Sequence, residues 1–588
     1  FGSRPGAASS LHIAGAGVAS GPWPRPAMLS GARATGAGHG LAPSFPVLVG
    51  DAAAAPARAP RGLPALQSGT ASAAAGAWAV RTSLSTPAQT WPACQGLAGA
   101  CIWAALLLPR PRRRARTRGR QQAAGRHCAV GRGLGDARQQ VLVVGGGLGG
   151  LNLALRLAEM PWPQVGRRRP PQITIVDPKE RFVFLPLLID YAVDGEVELD
   201  EFAPAYHELL RLAEEDRARV PGLPGTAGAD IEFMLGSVRS VDWRRRQARC
   251  SLGAADEEQV LGFDALVLSP GQLRVPKPEP IAGLAAAAAA GTAQAFATLA
   301  DAEALRARLA AEPPRSVAVV GAGYVGVELA AALAEEPGRE VTLFGSALLR
   351  GSEPPNQERS EERLQDLGVQ RRQGRVLAVD EAGLSWAAAE GEPQRHECDL
   401  VLVTGAAAAA LAAPALEPPA GLSAGTPAPD GRIAVDDFLR AAPGIFCIGD
   451  VAAAGTAATG QAAMQQAEVA AWNAFAQCTG LPRAAWRRYA PSVLGEYVAL
   501  GRDAAAAVVD ASQLAKLLPP ALPPAAAAVA APLLSKAGGE ASKVDLGGRP
   551  AALLRRLSYL YRMPTLGHRA RVAQQWAGRA RAGAPLPA

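Results

Sequence analysis

The chain has 588 residues, 49% of them hydrophobic, and a formal net charge of +8, which is enough material for several domains with a sizeable core. The charge is local: before Asp136 the only acid is Asp51, and the remainder is mildly acidic, which excludes a basic nucleic-acid-binding body. Seven cysteines without a CxxC pair and six dispersed histidines exclude a redox dithiol, an iron–sulfur site and a zinc site, so no metal is expected.

Residues 1–138 are rich in Ala, Gly, Pro, Ser and Arg without sustained periodicity, a composition that cannot bury enough apolar area to offset chain entropy. Such an Arg-bearing, acid-poor stretch reads as a disordered organelle-targeting leader. Leu97 to Leu108, followed by Arg110, Arg112, Arg113 and Arg114, suggests a bipartite one. The apolar run is shorter than a membrane span.

Next comes Val141-Leu-Val-Val-Gly145-Gly-Gly147-Leu-Gly-Gly150, four apolar strand residues running into GxGxxG, followed by helical apolar spacing from Leu151 to Glu159. Gly145 permits the tight turn, Gly147 lets backbone approach a pyrophosphate, and Gly150 lets the helix pack on the strand. A second strand, Ile173 to Val176, ends in Asp177, placed where an acid accepts hydrogen bonds from a ribose diol. Further on, Ala265 to Leu268 returns to the sheet and ends at Ser269 and Gly271.

The same grammar repeats from Ser316 to Val320 with Gly321, Gly323 and Gly326, a helix carrying Glu328, and the strand Val341 to Phe344. Two such units bind two dinucleotides, or one across a duplicated fold. The second unit has Gly345 and Ser346 where the ribose acid is expected, so a 2′-phosphate meets no like-charge repulsion, and Arg350 is a candidate partner. The alternative is that Gly345 only turns the chain. Its return strand, Leu400 to Val403, ends at Thr404 and Gly405.

Gly444 to Ile448 is an apolar strand ending in Gly449-Asp450 before small residues and a helix. Asp450 can there bond a ribityl hydroxyl while the helix N-terminus faces phosphates. The Ala- and Pro-rich stretch 518–540 reads as a surface loop. Leu553 to Arg581 combines Leu553, Leu554, Leu557, Leu560, Tyr561 and Trp576 with many arginines, a composition suited to an interfacial amphipathic anchor that Pro564 divides; packing on the body is the alternative.

The order of these motifs resembles the two-dinucleotide-binding-domain flavoproteins over about residues 140–580, and in detail the type II NAD(P)H:quinone oxidoreductases. Arg181-Phe-Val-Phe184-Leu-Pro186-Leu-Leu188 is similar to the family's H-x-F-x-P-L-L flavin segment, with Phe182 in the usual His position. Thr459-Gly-Gln461 through Gln465-Gln466 to Asn473 resembles its glutamine helix beneath the isoalloxazine ring. Leu494-Gly-Glu496 with Gly501-Arg502, and Tyr559 to Thr565 with His568-Arg569, resemble the plastid branch.

The resemblance implies an α/β fold of pyridine nucleotide-disulfide oxidoreductase type, with two Rossmann-like domains for FAD and NAD(P)H and a C-terminal membrane-interface helical region. The implied division is a leader at 1–138, the FAD domain at 139–312 and 416–480, the NAD(P)H domain at 313–415, and a C-terminal domain at 481–588. It implies hydride transfer from NADPH or NADH through FAD to a prenylquinone such as plastoquinone. Glu328 would stand near the nicotinamide, Gln461 and Gln465 at the quinone, and Phe184 and Pro186 at the flavin. It also implies a membrane or lipid-droplet surface, a plastid or mitochondrial location, and room for a homodimer. Two other readings stay open: an FAD-dependent reductase of a protein or soluble acceptor, and a nucleotide-responsive interaction protein.

Overall fold

The computed structural model describes residues 138–164, 169–195, 197–219, 226–253, 255–271, 281–405, 432–510 and 543–581. The expected leader up to residue 137 and the surface loop at 518–540 lie outside them.

Strand β1 (Gln140–Val144) is buried along four of its five residues and runs into helix α1 (Leu148–Ala158), the pattern of a parallel strand covered on both faces. It lies between β2 (Gln172–Asp177) and β6 (Ala265–Leu268), parallel to both. Beyond β2 the sheet continues into β3 (Asp230–Asp242), then antiparallel β4 (Gln247–Leu252) and β5 (Glu257–Gly262).

A second sheet is wholly parallel, in the order β10, β9, β8, β14, β7. It is built from β7 (Ala293–Ala295), β8 (Ser316–Val320), β9 (Glu340–Gly345), β10 (Gln370–Gln373) and β14 (Leu400–Val403). Helix α4 (Tyr324–Ala334) follows β8 as α1 follows β1, and helix α5 (Pro354–Asp366) follows β9. An antiparallel ribbon of β11 (Arg375–Asp380), β12 (Gly383–Ala387) and β13 (Gln394–Glu397) lies between β10 and β14 in sequence.

The chain then returns to the first sheet, where β15 (Arg440–Ala442) and β16 (Ile445–Cys447) complete eight strands through the parallel pairing of β16 with β6. This is the two-unit α/β fold that the sequence predicts. Helix α6 (Gly460–Thr479) starts where Thr459 Oγ1 accepts the Ala462 N–H and ends at Gly480 in the left-handed region, φ 75°. It packs on α1.

The C-terminal part is a three-stranded antiparallel sheet of β17 (Gly495–Ala499), β18 (Ala505–Asp510) and β19 (Lys543–Gly547), followed by helices α7 (Gly548–Arg562) and α8 (Leu566–Arg581). It braces the helices of the second sheet: Arg359 pairs with Asp545 through two hydrogen bonds of 2.8 and 2.7 Å, and the Arg502 N–H donates to Glu335 at 2.8 Å. Gly501 adopts φ 105°, a backbone conformation that favours glycine, and lies against the Glu335 carboxylate.

The packing divides the apolar residues of the last two helices between the core and the surface. Leu554, Leu560 and Trp576 are buried. Helix α8 lies on the helix α2 (Tyr206–Ala218), and two of its arginines are paired with the body, Arg571 with Glu208 (2.6 Å) and Arg579 with Glu201 (2.7 Å). The amphipathic pattern is therefore partly spent on internal contact, with Leu553 and Tyr561 half-buried and Leu557 and Leu566 exposed at 41% and 40%. Among the described residues no helix is long and apolar enough to cross a membrane.

Candidate active site

The two glycine loops are built alike. The Gly145 N–H donates to Val176 O and the Gly321 N–H to Phe344 O, each at 2.8 Å. Gly145 (φ 92°) and Gly321 (φ 114°) make the turns. A Cβ at Gly150 would lie 1.9 Å from Gly145 O, and one at Gly326 would lie 1.7 Å from Gly321 O, so each helix passes against its own turn. Gly147 and Gly323 instead face open space, with nothing within 4 Å of an added Cβ. That space lies at a helix N-terminus with unpaired N–H groups, the geometry a pyrophosphate needs.

In the first unit a second helix start joins the first: a Cβ at Gly460 would meet Leu148 Cδ1 at 2.8 Å, so α1 and α6 begin side by side. Gly449 (φ 75°) stands next to them, and its N–H donates to Gln466 Oε1 at 2.7 Å. Half-buried Asp450 follows; burial raises its carboxyl above the usual range and the charge of Arg432 partly offsets this. Ser269 Oγ lies against Gly149 and Gly449, while Gly271 (φ 83°) opens outward. The residues present therefore fit one dinucleotide across α1, α6 and the Gly449–Asp450 turn.

Asp177 is buried at the end of β2, accepting the N–H groups of Gly146 (2.7 Å) and Lys179 (2.9 Å), with the Lys179 ammonium 3.9 Å away. Tyr206, not anticipated from sequence, lies under this loop: its hydroxyl donates to Gly146 O at 2.9 Å and its ring stacks on Phe233 at 4.3 Å. In the second unit Thr404 Oγ1 donates to Val320 O at 2.9 Å, Gly405 (φ 60°) is exposed, and Arg350 is exposed on the loop after β9.

Glu328 stands where the second unit meets the C-terminal sheet, its Oε1 accepting the Ala499 N–H at 2.9 Å. Arg555 of α7, 1% exposed, lies within electrostatic reach; it bonds both oxygens of Asp190 (3.2 and 3.1 Å) and donates to Pro186 O at 3.0 Å. Asp190 is 2% exposed and Tyr559 packs beneath the guanidinium, 4.7 Å from ring centre to Cζ. Elements from all three parts of the structure thus meet at Glu328.

Three expected site residues make contacts within the protein itself. Phe184 is turned into the core, edge-on to Tyr559 at 5.4 Å, and offers no surface to a cofactor; Leu185 is the side chain of that segment facing out, at 55% exposure. Gln465 is held by Ser492, its Nε2 donating to the carbonyl at 2.5 Å and its Oε1 accepting the N–H at 3.0 Å. Gln461 makes one such bond, from Nε2 to Ser492 O at 3.2 Å, which leaves its second N–H for another acceptor.

A family model described as pyridine nucleotide-disulphide oxidoreductase matches residues 139–474. The chain belongs to that family.

Its relatives include the demethylphylloquinone reductase NdbB of Synechocystis sp., 30% identical over 461 residues, covering 75% of this chain and 96% of the relative. Another is the alternative NAD(P)H-ubiquinone oxidoreductase C1, chloroplastic/mitochondrial, of Arabidopsis thaliana, 28% identical over 488 residues, covering 75% and 81%. Among solved structures, NDH2 from Plasmodium falciparum shares the fold with a TM-score of 0.55 at 13% identity, covering 76% of this chain and 100% of that one. The chain is a member of the type II NAD(P)H:quinone oxidoreductases within this family, as its motifs predict. The family implies a flavin and NAD(P)H. Disulfide exchange has no support among the described residues, whose four cysteines are free, Cys250, Cys447 and Cys478 on separate elements and Cys398 between β13 and β14.

Burial raises the Glu328 carboxyl to about 7, the charge of Arg555 and the Ala499 N–H opposing and Asp190 assisting. A raised carboxyl binds its proton more tightly in the folded state. Its stabilising contribution is complete below pH 4.5 and is lost as pH rises through 7, a span of roughly 3 kcal/mol. Glu328→Gln is therefore expected to gain stability on the native enzyme at pH 8 and not at pH 4.5, as read by urea denaturation at both. Equal differences at the two pH values would contradict a buried, titrating Glu328.

Proposed function

We propose that the protein is a non-proton-pumping, FAD-dependent enzyme that takes a hydride equivalent from NADPH or NADH and delivers it to a prenylquinone such as plastoquinone. The carrying observation is the meeting of the α1 and α6 N-termini beside Gly449–Asp450, with Gln461 on that same α6. One helix thereby faces phosphates at its start and an acceptor site within its first turns. The flavin supplies the two-electron relay between donor and acceptor when bound. The chain's part is to hold it: Gly145, Gly147 and Gly150 at the phosphates, Asp177 at the ribose, Ser269, Gly271, Gly449 and Asp450 along the remainder. Gly321, Gly323, Gly326, Thr404 and Gly405 take the donor.

Glu328 lies in the second unit's helix close to where donor and flavin meet, and its carboxyl near 7 suits it to hold or release a proton at neutral pH. Gln461 Nε2 donates to a quinone carbonyl. In this reading the quinone is reached from a membrane or lipid-droplet surface through the C-terminal region, in a plastid or, alternatively, a mitochondrion; the names of the relatives support both.

The test is sequential stopped-flow absorbance on flavin-loaded protein, first with NADPH or NADH and then with a short-chain plastoquinone analogue. Rapid flavin bleaching followed by rapid reoxidation is expected. Gln461→Leu is expected to leave bleaching unchanged and slow reoxidation by about tenfold or more, the scale of one hydrogen bond to a reacting carbonyl. Bleaching without reoxidation by any quinone would move the acceptor to a protein or soluble molecule.

A further inference from the structure

The first glycine loop carries three glycines in a row, Gly145 to Gly147, where the second has Ala322 in the middle place. Such a run has no side chain to limit its peptide planes, so it holds one shape only if its backbone groups are tied from outside. In the second unit the tie is local: Ala322 O accepts the Leu349 N–H at 2.8 Å. In the first unit it comes from a side chain 60 residues along the chain, as Tyr206 Oη donates to Gly146 O at 2.9 Å. The preceding peptide is tied as well, the Gly146 N–H donating to Asp177 Oδ2 at 2.7 Å. Tyr206 also accounts for the middle glycine, since a Cβ at Gly146 would stand 2.5 Å from its hydroxyl oxygen and 2.8 Å from Cζ. The ring is not free to retreat: it is 1% exposed and stacked on Phe233 of β3 at 4.3 Å and 17°. Its backbone is fixed too, the Tyr206 N–H donating to Glu180 O at 3.2 Å at the start of α2, whose far end is tied to α8 where the Gly567 N–H donates to Asp216 at 2.9 Å. Burial and the Asp177 charge both push the Tyr206 hydroxyl above the usual phenol range, so it remains a donor at neutral pH.

We propose that Tyr206 is a positioning residue for the flavin: by capping the Gly146 carbonyl it fixes the peptide between Gly146 and Gly147 and aims the Gly147 N–H at the flavin pyrophosphate. The proposal rests on the reading of the first unit as the FAD unit. In a planar trans peptide the carbonyl and the N–H point in opposite directions. A carbonyl held on Tyr206 therefore turns the Gly147 N–H away from the core, at the residue where an added Cβ meets nothing within 4 Å. A flavin that stays bound through turnover gains from a loop ordered in advance, because ordering three glycines at the moment of binding costs affinity. The donor nucleotide, which must leave after each turnover, meets a loop without this long-range tie.

The test follows the exchange of bound FAD for an excess of a chlorinated FAD analogue of shifted absorbance in the full-length, flavin-loaded protein, with NADP+ affinity measured alongside by calorimetry. Tyr206→Phe keeps the ring on Phe233 and removes only the donor. Flavin exchange is expected to accelerate by about tenfold, with NADP+ affinity within about twofold of native. Leu212→Ala serves as the control for stability alone. It opens a cavity in the same helix without touching the loop, and is expected to lower the Tm at least as far as Tyr206→Phe while leaving exchange within about twofold of native. Equal acceleration in the two variants would make flavin loss a consequence of general destabilisation and overturn the positioning role. Native exchange and native NADP+ affinity in Tyr206→Phe would overturn it as well, and would leave the FAD reading untouched. Weakened NADP+ with native flavin exchange would instead place the nicotinamide nucleotide on the first loop, so that the FAD reading of this unit falls and the proposal's ligand with it. No readout involves a quinone, so failure of the quinone reading leaves the result standing.

Discussion

Gly150→Ala is expected to yield folded protein nearly free of flavin, whereas Gly326→Ala is expected to keep its flavin and lose reduction by NAD(P)H. In each case the new Cβ meets backbone, at 1.9 Å from Gly145 O in the first unit and 1.7 Å from Gly321 O in the second. Backbone oxygen at that range cannot give way as a flexible side chain would, so the helix must retreat from its loop. Overpacking of this kind costs about 1–3 kcal/mol. At about 1.4 kcal/mol per decade, ligand affinity at the affected loop falls by roughly 10- to 100-fold. The flavin-to-protein absorbance ratio and the rate of flavin bleaching separate the two effects. The result also decides which unit holds which cofactor. Flavin loss in Gly326→Ala with retention in Gly150→Ala would reverse the assignment of FAD to the first unit.

The parts of this arrangement that were legible in sequence are those whose geometry is local. A turn, an approach to phosphate and a helix crossing fall within six residues of one another, so Gly145, Gly147 and Gly150 report them together, and Gly321, Gly323 and Gly326 do so again. Gln466 was half legible. It belongs to the quoted glutamine helix, yet only its place in the buried stripe of Ala463, Ala467, Ala470 and Ala474 marks it as the internal hydrogen-bonding member, while Gln461 and Gln465 lie one residue off that stripe. Tyr206 carries no such mark, because its partner Gly146 is a backbone carbonyl 60 residues away.

How the C-terminal helices share their residues between core and surface is not legible in sequence, for a physical reason. Leucines and arginines alternating around a helix describe an interface with lipid and an interface with an acidic protein surface equally well. Only the positions of Glu201, Glu208 and Asp190 on the facing elements decide between them. The same three carboxylates take up Arg555, Arg571 and Arg579 of the arginines after residue 548.

Of these pairs, Asp190 with Arg555 has the largest predicted effect on stability. Arg555→Met removes the guanidinium and leaves a carboxylate that is 2% exposed without its partner. Breaking a buried pair from one side costs about 3–5 kcal/mol, a large part of the roughly 5–15 kcal/mol that separates most folded domains from unfolded chain. Urea denaturation should show a loss on that scale. Combining Asp190→Asn with Arg555→Met should recover much of it, because neither member of the pair then leaves its partner's charge buried alone; equal losses in single and double variants would mean that packing of the Arg555 stem, not charge, sets the cost. A functional consequence follows from position. Arg555 is the positive charge that opposes the rise of the Glu328 carboxyl, so its loss should push that carboxyl above 7. The limb of the pH profile for flavin reduction that reports Glu328 should accordingly move to higher pH in Arg555→Met and stay near its native place in Arg555→Lys, which retains the charge. A profile unmoved in Arg555→Met would confine Arg555 to holding α7 against the first unit.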